Sequence, residues 1–271
     1  MPDRARRSPL LRIALFLGVA AIAVVGYLFL LSVLSGKLGP FSAAVPAVFL
    51  AMAALVINWR CFAAEGMSLA DVGFDRPLFR LGQVLVGLVA GSLMVGAWII
   101  ALQWFGSVTW REVPSVPASA AVGAVVFLVF NNLAEELVYR SYLFVLLMRT
   151  YGTAVAVVAT SVLFTLLHIQ AGIPWPNALA GVLTSALVFA ALFVRWKSVP
   201  LVFAFHAGMN VAQEALGLRS SGLTFFEPQI QAANTSYVLA WAATLNLCVA
   251  GAVLLSARKS SRARRAKGTD P

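Results

Sequence analysis

Charge is what this sequence has least of. Only 11% of its 271 residues are Asp, Glu, Lys or Arg, against about 25% in a soluble domain. That scarcity, with 61% hydrophobic residues and a mean hydropathy of +0.89, excludes a water-soluble globule and reads as an all-α, polytopic membrane protein. Cysteine is nearly absent. Cys61 and Cys248 lie in or beside apolar stretches, with neither thiolate-metal spacing nor a disulfide framework. There is no internal repeat and no stretch fit for a soluble domain. The net charge of +10 would suggest nucleic acid in a soluble protein. Here the basic residues sit at the termini and between apolar runs, with no basic, aromatic-interleaved surface, so no nucleic-acid partner is expected.

A helix needs about 20 apolar residues to cross a bilayer. Eight stretches qualify as expected spans: 10–34, 41–63, 78–105, 118–148, 152–170, 177–195, 199–216 and 236–257. The first is longer than the roughly 7–15-residue core of a signal peptide, so it reads as an uncleaved helix. Gly39-Pro40, Asp75-Arg76-Pro77, Pro114 to Pro117, Pro174-Trp175-Pro176 and Pro200 punctuate the runs. Cations collect on one side of this arrangement: Arg4, Arg6, Arg7 and Arg12; Arg60, Arg76 and Arg80; Arg149; Arg195 and Lys197; and the tail from Arg258 to Lys267. The other side holds Lys37, Arg111 and Arg219. The bias predicts both termini on the cytoplasmic face of the cell membrane. The tail after Ser256 is expected to be disordered along the anionic inner leaflet. Three parts are expected: helices 1–3 (1–117), a core (118–216), and a loop, last helix and tail (217–271).

Against this background, a few polar residues stand inside the spans. Asn131, Glu135 and Tyr139 fall on one helical row, and Asn132, Glu136 and Arg140 on the next. Such a stripe cannot face lipid, because one charge at mid-bilayer costs at least about 2.5–3.5 kcal/mol. The chain has only two histidines. His168 ends the fifth span, and His206 lies in the seventh, one turn from Asn210. Glu214 continues that face. At about 1.5 Å per residue, Glu135, His168 and Asn210 fall about 21, 24 and 17 Å from the cytoplasmic ends of their spans. Three helices thus bring polar groups to one slab of the bilayer.

Two carboxylates, an arginine, two histidines and an asparagine make a hydrolytic inventory. Arg140 is spaced to hold Glu136 ionised, which leaves Glu135 as general base. His168 shares the attacking water, and His206 and Asn210 donate to the developing oxyanion. No cofactor is expected. The alternative use is catalytic zinc on Glu135, His168 and His206, which the residue types allow although no HExxH spacing occurs.

Glu135-Glu136-x-x-x-Arg140, Phe164-x-x-x-His168 and His206-x-x-x-Asn210 resemble the three signatures of the CPBP family of intramembrane proteases. That family includes type II CAAX prenyl endopeptidases and proteins of bacteriocin processing and immunity. The resemblance covers about 118–216. It implies an intramembrane endopeptidase acting on a membrane-associated peptide or protein, with Glu135 and His168 activating water, His206 and Asn210 stabilising the oxyanion, and Glu136 and Arg140 completing the first motif. It also implies a glutamic rather than a metal-dependent type. A proton-coupled transporter and a non-catalytic immunity or binding protein are the competing readings of the same buried cluster.

Overall fold

The computed structural model describes residues 8–75, 77–104, 108–113, 116–219, 223–230 and 235–266. Arg4, Arg6, Arg7, Arg76, Pro114 and Lys267, used in the reading above, lie outside them.

The long apolar runs fold as helices: α1 (Pro9–Leu34), α2 (Ala44–Ala64), α3 (Pro77–Trp104), α4 (Ala118–Tyr139), α5 (Tyr142–Tyr151) and α6 (Thr153–Gln170). A short α7 (Trp175–Asn177) passes through a π-helical turn (Ala178–Leu183) into α8 (Thr184–Trp196), followed by α9 (Val199–Ala215) and α10 (Thr235–Ala266). Among the described residues, seven helical stretches are long and apolar enough to cross a membrane. The expected span at 199–216 is a helix too, but at 17 residues it is shorter than the rest. Its flanks are packed, so α9 is a buried central helix. Ile22, Phe29, Leu93 and Leu255 point outward from their helices. An apolar exterior of that kind is what a lipid-facing surface requires. The chain is a multi-pass, all-α membrane protein.

Three features differ from the sequence reading. The fourth span is not one helix. It breaks at Arg140, where φ is −122° and ψ 7°, and restarts at Tyr142. Asn58 of α2, fully buried, bridges the break. Its Nδ2 donates to Leu137 O at 2.9 Å and to Ala54 O at 2.8 Å, and its Oδ1 accepts from Tyr142 N at 2.9 Å. One side chain therefore satisfies backbone groups that a continuous helix would have paired internally.

Secondly, the basic tail is helical to Ala266. Helical geometry propagates cheaply from a preformed helix, and the Ala- and Arg-rich tail has good propensity for it. Thirdly, a two-stranded antiparallel sheet joins β1 (Val108–Glu112) to β2 (Phe226–Ile230). An Arg111–Glu227 ion pair crosses it. The loop residue Leu223 is buried in the protein at 4% exposure, while Phe225 and Phe226 beside it are exposed.

α3 packs along α9, α2 along α4, and α10 along α8. The α3–α9 crossing is close enough to exclude side chains. A Cβ on Gly91 would fall 2.0 Å from Phe205 O, and one on Gly208 would fall 2.3 Å from Leu88 O. Small residues at such crossings let backbones touch, which is how helices gain packing energy inside a bilayer. This crossing fixes the helix that carries His206 and Asn210.

Candidate active site

α4, α6, α8 and α9 supply the candidate groups. α4 is helical through Tyr139, so Glu135 and Glu136 project from adjacent rows toward α9. Their environments differ sharply. The Glu136 side chain is fully buried, whereas Glu135 keeps 21% exposure. The two carboxylates thus sit in unequal surroundings.

Glu136 is held from both sides. Arg140 Nε lies 3.4 Å from Glu136 Oε2, and His206 Nδ1 lies 2.8 Å from Glu136 Oε1. Arg140 itself has no exposed surface. It donates from Nη2 to Ala186 O at 3.1 Å. Its guanidinium sits over the rings of Phe164, Phe189 and Tyr139 at 4.9, 5.4 and 5.7 Å. Arg140 Nη1 and Nε and Glu136 Oε2 have no hydrogen-bond partner among the described residues. A buried ion pair left so incompletely bonded is costly, which suits a polar cluster kept for chemistry.

His206 stands between the two glutamates. Its other nitrogen, Nε2, faces Glu135 Oε2 across 3.8 Å. A carboxylate oxygen accepts, so a proton on Nδ1 makes this bond, and the bond fixes the imidazole's orientation. Phe189 of α8 stacks on the same ring, with centroids 4.3 Å apart. Glu135 Oε1 accepts from Asn131 Nδ2 at 2.7 Å. Asn210, one turn on from His206, donates to Asn132 Oδ1 at 2.7 Å. Asn132 therefore ties α4 to α9, while Asn131 serves its own helix.

His168 joins the cluster less directly. It ends α6, and its Nδ1 lies 2.8 Å from Phe164 O. A carbonyl accepts, so Nδ1 carries a proton, which leaves Nε2 as the nitrogen turned away from that bond. The Phe164 ring lies between the histidines, with its centroid 4.3 Å from His168 and 6.1 Å from His206. Tyr139 packs edge-on against Phe164 at 5.1 Å.

Among the described residues, no three His, Cys, Asp or Glu side chains converge as a metal ion requires. Glu135, His168 and His206 in this arrangement do not form a three-ligand set.

The sequence reading missed Asn58, Phe189 and Arg219. Asn58 had a visible signal, a lone amide in an apolar run. Phe189 had none, since one phenylalanine among many reads as packing. Arg219, in the turn after α9, donates from Nη1 to Asn210 Oδ1 at 2.7 Å. Only the folded turn brings it there.

No curated protein matches the chain. Residues 117–212, which hold Glu135, Glu136, Arg140, His168, His206 and Asn210, match the family model of the Rce1-like type II CAAX prenyl endopeptidases, the family to which the three motifs point.

Proposed function

We propose that the protein is an intramembrane endopeptidase of glutamic type. It hydrolyses a peptide bond in a membrane-associated protein or peptide, from the cell membrane and with both termini cytoplasmic. The observation that carries this reading is His206 set between a buried and a reachable glutamate, 2.8 Å from Glu136 and 3.8 Å from Glu135.

In the first step Glu135 takes a proton from water, and the water oxygen bonds to the scissile carbonyl carbon. The carbonyl π electrons move to oxygen, which becomes the oxyanion. His168, through Nε2, shares the proton traffic. His206 and Asn210 donate to the oxyanion. With Nδ1–H committed to Glu136, donation to the oxyanion comes from Nε2–H, with Glu136 as the counter-charge that stays in place once Glu135 holds the water proton. In the second step the oxyanion re-forms the carbonyl and the C–N bond breaks. The proton held by Glu135 passes to the leaving amine. Arg140 and Glu136 touch neither substrate nor water. They hold His206.

The test compares membrane peptides in cells carrying wild type and Glu135→Ala. One or more peptides should change in length in the variant, with its membrane level unchanged. Identical peptide sets would overturn the reading.

A further inference from the structure

Arg219 lies beyond the residues that match the family model, yet its guanidinium reaches back into the cluster. Nη1 donates to Asn210 Oδ1 at 2.7 Å, and Nε sits 3.7 Å from Glu214 Oε1. Asn210 passes the chain on, from its Nδ2 to Asn132 Oδ1 at 2.7 Å. Asn132 is fully buried, and its own Nδ2 has no partner among the described residues.

The order of donors along this chain has one solution. A guanidinium carries five N–H donors and no acceptor. The atom of Asn210 that faces it must therefore be the carbonyl oxygen. Nδ2 of Asn210 must then face Asn132, and Asn132 must answer with its oxygen. The unpaired end of the pair is a donor, Asn132 Nδ2. Without Arg219 nothing sets this direction, since two facing amides bond equally well when both are turned over. The turned-over pair would present oxygens where N–H groups now lie. An oxygen repels an oxyanion, and an N–H stabilises it.

From this, we infer that Arg219 is a positioning residue that sets the direction of the Asn210–Asn132 amide pair, so that the pair offers donors to the reaction. The inference rests on the protease reading for its kinetic consequence. Its structural half, the amide direction, stands on the hydrogen bonds alone.

The test uses full-length protein in lipid nanodiscs. The peptide whose cleavage is lost in cells carrying Glu135→Ala is synthesised as the probe. Arg219→Met should lower kcat by about tenfold or more, with KM within about twofold. Arg219→Lys keeps a donor-only cation and should recover most of the rate. In protein labelled with 15N-asparagine, the side-chain amide signals of Asn210 and Asn132 should move in Arg219→Met and hold in Arg219→Lys. These signals are assigned by their loss in Asn210→Asp and Asn132→Asp. A wild-type kcat in Arg219→Met beside a dead Glu135→Ala would overturn this inference and leave the protease reading standing. Equal loss in Met and Lys, with equally lowered unfolding temperatures, would reduce Arg219 to a structural contact. If Glu135→Ala changes no membrane peptide, the protease reading falls, and unmoved amide signals would then dispose of this inference separately.

Discussion

His206 Nδ1 lies 2.8 Å from Glu136 Oε1, while its Nε2 faces Glu135 Oε2 across 3.8 Å. One ring therefore reads two carboxylates in different circumstances. Glu136 sets how the ring points, and Glu135 shares the space the ring points into.

Glu136→Gln preserves the shape and an acceptor for Nδ1–H but removes the charge opposite Arg140. Cleavage should fall by about 10²-fold or more, because the negative charge beside His206 is gone although the ring is still held. Glu136→Ala should in addition cost about 3–5 kcal/mol of stability, because Arg140 is left buried and uncompensated. Thermal unfolding in detergent beside the cleavage rate checks both. A fully active Glu136→Ala would contradict the arrangement.

Glu135→Gln should lose cleavage by about 10²–10⁴-fold at unchanged unfolding temperature. Glu135 is partly exposed, so the amide is accommodated. His168→Gln should fall in the same range, since both residues act on one water. Turnover of the probe peptide by each variant measures this.

Chelation gives a third outcome. Cleavage should survive dialysis against EDTA and phenanthroline, and elemental analysis should find less than stoichiometric metal in active protein. Activity that vanishes on chelation and returns with zinc would restore Glu135, His168 and His206 as ligands.

Asn58→Leu strands Leu137 O and Tyr142 N in an apolar setting. Each buried polar group so orphaned costs about 1–3 kcal/mol. The Tyr142 amide should exchange with deuterium much faster than in wild type. Slow exchange at Tyr142 in that variant would show that Asn58 does not hold the break.

Gly91→Leu should prevent folded protein from accumulating, since its Cβ alone would meet Phe205 O at 2.0 Å. Gly96→Leu, with nothing within 4 Å of its Cβ, should be tolerated. Membrane levels of the two variants make the comparison.

The helices were legible because span length and apolar composition are dictated by bilayer thickness. The six motif residues were legible because a charge inside an apolar run has no cheap reason to be there. What escaped the sequence was anything settled by partners distant in the chain. The break after Arg140 is written in α2, at Asn58, some eighty residues earlier. The aromatic surround of Arg140 draws on α4, α6 and α8 at once. The helical tail was misread because its charge was weighed and its continuity with α10 was not. The β1–β2 sheet joins short strands with over a hundred residues between them, and strands so brief leave no periodic trace.

The glycine crossing of α3 and α9 has a mechanical meaning. Two backbones in contact at Gly91 and Gly208 cannot roll past one another, because any turn of α9 swings a side chain into a space that holds only hydrogen. His206 and Asn210 are thus mounted on the anvil of the molecule. The side of the cluster away from that crossing is formed by α6, which carries His168 and an outward row of Val155, Val158, Val162 and Leu166.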